Sequence, residues 1–593
     1  MQPLFENAKN YIAQFQPEHV SLKSKSIIKS EWFLDSFWRI RRCRDVSHYS
    51  AELMDKIFRR HHLAAVICVF LAYLFLIIVG FFLDYRAFQI PAAASITLLF
   101  AILIGVSGAF AYFLQTWSVP VLVIFLLLLN IIYKLDWIDP TNKAYGLDYN
   151  ELNRPSYTAN ILQELSSPEN AETDKENMVA ILEKWKKKQG EEKPLLVVMA
   201  TSGGGTRSAA FTMNVLQQLD SITGGEIMEK LFLITGASGG MVGATYFREL
   251  YRQKLLNNNI NLQDRKYLED ISGDLLNATF SSFVARDLFA PERSFSVGPY
   301  KYSRDRGYSF ETALNQNTRG LLNKQLGDYA DDEAAANIPL ILYHTVITRD
   351  GKKMNIGTQP MRFMMRAPLD TSVTKNNIPD ALDFISFFKQ QDPYNLRVLT
   401  ALRMNATFPV VLPNVWLPSE PVINVMDGGL RDNYGIDNSL RFLTAMQTWI
   451  EQNTSGVLMI QVRDRTVGGW EAPYESDGIT ENAVKPFFVL QNNWFKMMEY
   501  THNDMITYFT NASGYPFYKI LLQYTSNNEE NKAALNFHLT QREKRDIALS
   551  LKEKRNIDNL LKVAELLNTG KKNILSDVKN EHQKTVNRFA EKK

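Results

Sequence analysis

Two short aliphatic runs, each ending in glycine, constrain this chain more than any other feature. Leu195-Leu196-Val197-Val198-Met199-Ala200 runs into Gly203-Gly204-Gly205-Thr206-Arg207, and Leu231-Phe232-Leu233-Ile234-Thr235 runs into Gly236-Ala237-Ser238-Gly239-Gly240. Runs this short and this apolar read as strands buried on both faces, which implies a parallel sheet covered by helices. Between them, Ala209 to Asp220 carries apolar residues at helical spacing. The unit is strand, glycine loop, helix, strand, serine turn, helix, and it predicts an α/β fold with a central, mainly parallel sheet.

The serine turn has the Gly-x-Ser-x-Gly pattern of a nucleophile elbow. The serine stands on a tight bend, and flanking glycines remove the side chains that would collide there. The helix that follows would present free N–H groups near Ser238, where negative charge develops during attack on a carbonyl. Gly203, Gly204 and Gly205, with Thr206 and Arg207, form a loop whose N–H groups are unobstructed, as an oxyanion hole requires. A phosphate-binding loop would end in Gly-Lys-Ser/Thr, and here the sequence is Thr206-Arg207-Ser208. A dinucleotide fingerprint would need glycine where Ser208 stands.

A serine hydroxyl needs a neighbouring base. Downstream, Val422-Ile423-Asn424-Val425-Met426 delivers Asp427 into the turn Gly428-Gly429. Apolar neighbours would raise the pKa of this carboxyl and improve it as a base. A Ser-acid-His order completed by His502 or His538 is the rival arrangement. His502 falls in a helical stretch and reads as a helix-surface residue.

Gly-Gly-Gly-Thr-Arg, Gly-Ala-Ser-Gly-Gly and Asp-Gly-Gly, in that order, resemble the patatin-like phospholipase family. The resemblance implies a three-layer fold, a Ser238–Asp427 dyad and no catalytic histidine. It also implies an oxyanion hole from the N–H groups of Gly204, Gly205 and Thr206, with Arg207 holding the loop. Ala401 to Pro409 resembles the family's segment between the two catalytic turns, and Asn433 matches a recurrent polar position. Ser202 and Ser208 depart from the family's pattern, which often has an acid before the glycines and a glycine after the basic residue. The implied activity is acyl-ester hydrolysis on a membrane lipid through an acyl-enzyme. An acyltransferase, or a lipid-binding scaffold with a vestigial site, is the alternative.

Apolar residues are concentrated ahead of this region. Leu63 to Leu83 carries no charge, and after Asp84 and Arg86 no charged residue appears before Lys134. Leu63–Leu83, Ile90–Leu114 and Val119–Tyr133 are read as three membrane spans, the last one short. Arg39, Arg41, Arg42, Arg44, Lys56, Arg59 and Arg60 precede them and predict a cytoplasmic N-terminal segment. Three crossings then place the catalytic domain on the opposite side. The expected divisions are a basic segment 1–62, spans 63–133, a polar linker 134–190, a catalytic domain 191–530 and a charged helical tail 531–593.

The 593 residues include two cysteines, Cys43 and Cys68, both outside the catalytic region. No disulfide framework or zinc-binding cysteine set is expected there, and no metal or other cofactor. A formal net charge of +3 gives no reason to expect a nucleic-acid partner. The assembly state is left open.

Overall fold

In the computed structural model, the described residues are 32–34, 39–43, 48–134, 141–256, 259–288, 293–367, 378–407, 411–468, 479–526 and 533–567. Arg44, Trp137, Phe408, Pro409 and the chain end beyond 567 lie outside them. The chain divides into two compact units, Met1–Phe75 with Thr97–Leu135, and Leu76–Ile96 with Asp136–Lys593.

The first unit contains most of three apolar helices, α1 (Ala51–Phe82), α2 (Ala92–Leu114) and α3 (Ser118–Lys134). Arg59–Phe82 and Ala92–Phe110 are long and apolar enough to cross a membrane, whereas the apolar stretch Ser118–Ile132 is shorter. Their side chains are widely exposed, Phe70 at 61% and Ile104 at 71%.

The second unit is built on a nine-stranded mixed sheet. Its strands are β1 (Leu196–Thr201), β2 (Leu231–Gly236), β3 (Leu340–Ile347), β4 (Lys353–Ile356), β5 (Ala381–Asp383), β6 (Val415–Leu417), β7 (Ile423–Asp427), β8 (Val457–Arg463) and β9 (Phe517–Gln523). The main order is β6-β7-β3-β2-β1-β8-β9, with β4 joining β3 to β5. The strands β3, β2, β1, β8 and β9 are parallel neighbours, while β7 runs antiparallel to β3.

Alternation along the strands explains the layers. In β1, Val197 and Met199 enter one core, and Leu196, Val198 and Ala200 enter the other. The first core is closed by α5 (Gly205–Ile222) and α6 (Ser238–Leu256), and the second by α4 (Pro168–Gln189) and α8 (Ile436–Ala445). A sheet apolar on both faces needs a helical layer on each, hence three layers. The Met361–Met365 stretch is core packing, with Met361, Phe363 and Met364 in the second cluster.

Residues 141–190 are not a free connector. Ala144, Leu147, Leu182 and Trp185 are buried. Arg403, on α7 (Val398–Asn405), donates to Asn142 Oδ1 at 2.5 Å, Lys143 O at 2.7 Å and Glu311 Oε1 at 2.8 Å, and lies over the Tyr145 ring. The turn between α1 and α2 also belongs to this unit: Asp84 accepts from Arg286 at 3.0 Å and Arg304 at 2.6 Å. The tail helices α10 (Gln541–Ser550) and α11 (Lys554–Leu566) bury Ile547 and Val563 in the first core.

The fully buried Arg403–Glu311 pair makes a stability prediction. Arg403→Met leaves the buried Glu311 carboxylate with Arg397 at 3.1 Å as its remaining cation, and should cost up to about 3–5 kcal/mol. Arg403→Met with Glu311→Leu should recover part of it, read from thermal unfolding of the purified full chain.

Candidate active site

The site lies where β1 and β2 end. In the sheet, the connection after β1 leads to β2 on one side, while β8 enters on the other, so the loop after β1 sits where strand order reverses. Crevices at such points, outside the carboxyl ends of parallel strands, are where α/β sheets bind ligands.

Ser238 opens α6 with φ +49°, in the left-handed region. A non-glycine residue held there is strained, as the serine of a nucleophile elbow is at its strand-to-helix corner. The next residue must be glycine because a Cβ at Gly239 would collide with the carbonyl of Gly205. The serine turn and the triple-glycine loop are therefore in direct backbone contact. Ala237 and Gly240 flank the elbow and are buried with it.

Antiparallel pairing brings Asp427 to the same place. Gly236 is level with Tyr343 on β3, and Asp427 with Thr345, two residues further on. β7 thus descends from beyond the end of β2 and stops opposite the serine turn. The Ser238 hydroxyl is close enough to the Asp427 carboxylate to favour its charged form. The same carboxylate accepts from Gly429 N–H at 2.7 Å. Burial pushes the Asp427 pKa from 3.8 up to about 7, against the smaller opposing effects of the Gly429 hydrogen bond and the Ser238 hydroxyl.

Asn405, His344 and Asn433 tie these turns together; the resemblance marks Asn433 and the segment holding Asn405, but not His344. Asn405 Nδ2 donates to Gly236 O at 3.2 Å and His344 O at 2.6 Å. Its carbonyl accepts from Gly428 N–H at 3.2 Å, and Asp427 N–H donates to Thr407 O at 3.0 Å. His344, fully buried, has its Nε2 2.9 Å from Asp432 O, and burial lowers its pKa. Asn433 accepts from Gly203 N–H at 2.8 Å through its carbonyl.

The expected oxyanion donors narrow. Gly203 N–H is committed to Asn433 O, and Thr206 N–H to Asn536 O at 3.0 Å. An N–H already bonded inside the protein is not free to receive a substrate oxygen. Among the described residues, Gly204 and Gly205 N–H donate to no protein group, as the first turn of a helix leaves such groups unpaired. Arg207 is turned away from them: it pairs with Asp464 and donates to Ala533 O at 2.7 Å.

His502 and His538, the candidates for a third catalytic member, have other partners. His538 is half exposed, its ring bonded to Asp274 at 2.7 Å. His502 lies on α9 (Ile479–Ala512), yet it is buried rather than on the helix surface, edge-on to Tyr434 and 3.9 Å from Asp432. The helix packs its His502 face onto the segment after Asp-Gly-Gly, a contact invisible to local periodicity. Among the described residues, no group of three His, Cys, Asp or Glu side chains is arranged to hold a metal ion.

Asp427 carries a stability prediction. Its pKa rises on folding, so its favourable contribution is full below pH 3.8 and is lost as pH rises through about 7. Asp427→Asn has no charge to bury. It should melt above wild type at pH 8, by up to about 4 kcal/mol, with the difference shrinking toward pH 5.

Among solved structures, the chain is similar to human GIVD cytosolic phospholipase A2, at 10% identity and TM-score 0.31, covering 73% of this chain and 68% of that one. It is also similar to VipD from Legionella pneumophila, at 12% identity and TM-score 0.24, covering 63% and 67%. At such values the likeness carries no functional weight. No curated protein matches the chain. The sequence model of the patatin-like phospholipases matches residues 199–439, a stretch that runs from within β1 into α8, so the chain carries a patatin-like phospholipase domain there.

Proposed function

We propose that this protein is a membrane-anchored serine acyl hydrolase that cleaves fatty-acyl esters of membrane lipids with a Ser238–Asp427 dyad. The observation that carries the reading is a strained serine beside a buried carboxylate whose pKa stands near neutrality. A base of that pKa is matched to proton transfer at physiological pH.

In this reading Ser238 Oγ attacks the ester carbonyl and its proton passes to Asp427. The oxyanion is held by the N–H groups of Gly204 and Gly205. Collapse of the tetrahedral intermediate returns the proton to the departing alcohol and leaves an acyl-serine. Asp427 then takes a proton from water, whose attack releases the fatty acid. This reading requires no histidine, since the carboxylate itself takes the hydroxyl proton.

The apolar helices α1, α2 and α3 serve as the anchor, and the basic residues Arg39, Arg41, Arg42, Lys56, Arg59 and Arg60 mark the cytoplasmic end. Three crossings, counted along the sequence, put the catalytic domain on the opposite side. Anchoring raises the effective concentration of a lipid substrate at the site.

A fluorophosphonate probe should label the purified full chain and not Ser238→Ala. Phospholipid vesicles should release free fatty acid with wild type only, read by lipid product analysis. Acyl transfer to an added alcohol in preference to water would instead identify a transferase, and absence of both labelling and product would favour a scaffold. With Asp427 as base, kcat/KM should fall about tenfold per pH unit below about 7.

A further inference from the structure

We propose that Asp464 is a positioning residue of this site: a buried carboxylate, neutralised by Arg207, that shapes the triple-glycine loop from beneath. The inference rests on the reading of Ser238 as nucleophile and of Gly204 and Gly205 as oxyanion donors.

Asp464 follows β8, far along the chain from the glycine loop, and its side chain is fully buried. One carboxylate oxygen pairs with Arg207, itself buried. The other accepts from Ser202 Oγ at 3.2 Å and lies 3.3 Å from Arg465 Nε. Asp464 N–H returns a bond to Ser202 Oγ at 2.8 Å. Ser208 Oγ donates to Ser202 O at 2.6 Å, closing the loop on itself. The two serines that depart from the family's pattern are thus the grips by which Asp464 and the start of α5 hold the loop.

The carboxylate also packs against the loop backbone. Gly204 has φ +151°, and a Cβ there would run into Asp464. The position therefore needs glycine on two independent grounds, its backbone angle and the carboxylate below it. With Asp464 in place, the peptide units on either side of Gly204 have little freedom to rotate. These units carry the two N–H groups that have no protein partner among the described residues. A donor that is already fixed pays no reorganisation when the oxyanion forms.

The charge needs separate treatment. A bare carboxylate beneath an oxyanion hole would repel the charge that the hole is meant to hold. Burial alone would push the Asp464 pKa up, but the cations Arg465 and Arg207 outweigh it and keep the group below the usual carboxylate range. The acid therefore stays ionised and paired. Arg207 has a second hold on the loop's surroundings through Ala533 O. It acts through Asp464 rather than on the substrate.

This arrangement makes an asymmetric prediction. Losing Arg207 alone leaves a buried negative charge under the donors. Losing both charges leaves a looser but neutral loop. Removing one partner of a buried pair is worse than removing both when the stranded charge is the damage.

The test uses the purified full chain with p-nitrophenyl butyrate, and compares wild type, Asp464→Asn, Arg207→Gln, the double variant and Arg207→Lys. Arg207→Gln should lower kcat roughly 100-fold with KM changed less than about twofold. The double variant should recover roughly tenfold or more over Arg207→Gln, and fluorophosphonate labelling rates should follow the same order. Thermal unfolding separates these effects from loss of fold. If Arg207→Gln does not fold, Arg207→Lys, which keeps the charge but not the guanidinium geometry, should still be faster in kcat than the Arg207→Lys/Asp464→Asn double, where that charge loses its partner. A double variant as slow as Arg207→Gln, or losses confined to KM, would overturn the positioning role while leaving the dyad intact. Wild type that neither labels nor hydrolyses would overturn the dyad reading and this inference with it.

Discussion

A buried carboxylate that, among the described residues, is held by one backbone N–H and lies beside a hydroxyl is the constraint around which this domain is arranged. Asp427 is buried, yet the Gly429 hydrogen bond and the nearby Ser238 hydroxyl only partly offset the burial, and its pKa stands near 7. Stronger compensation, such as an arginine alongside, would pin it as a permanent anion of low basicity. Complete isolation would keep it protonated. The local environment falls between these, and it is set by how β7 approaches β3 rather than by anything adjacent in sequence.

Three polar brackets hold that approach. Asn405 bonds the end of β2, the backbone of β3 and the Asp-Gly-Gly turn together. Asn433 receives Gly203, and Asp464 supports Gly204 while pairing with Arg207. Such groups stabilise a fold only when paired, since an orphaned polar group in a low-dielectric interior is costly. Their pairing therefore ties the shape of the site to correct assembly of the whole sheet. The Arg403 cluster extends the same logic outward, linking α7, which ends at Asn405, to the segment 142–145.

Much of the site was legible because its residues have unusual local requirements. Ser238 between glycines after an apolar strand calls for a positive φ, and the backbone adopts it. The strand alternation of β1 called for two cores, and both are present. What was illegible depended on distant partners. Asp464 is one acid among many until it is seen beneath Gly204, although its place two residues after the largely apolar run Val457–Val462 was a usable signal. His502 reads as a surface position on its own helix, and only the packing of α9 over Tyr434 buries it. Gly203 and Thr206 look as free as Gly204 and Gly205 in the sequence, and only Asn433 and Asn536 show that they are occupied. The stretch 141–190 looks polar enough for a connector, but its apolar minority is buried against the domain.

The sequence by itself determined the elements: where strands stop, where glycine is needed for a turn, which serine stands at the corner, and which helices are long and apolar enough for a membrane. These follow from local sterics and from the period of the hydrophobic pattern, which act over a few residues. Tertiary structure alone decided the meetings: which carboxylate faces the serine, which N–H groups stay free, and which charges cancel in the interior. Those depend on strand order, antiparallel entry and burial, which arise only when residues hundreds of positions apart share one solvent-free volume.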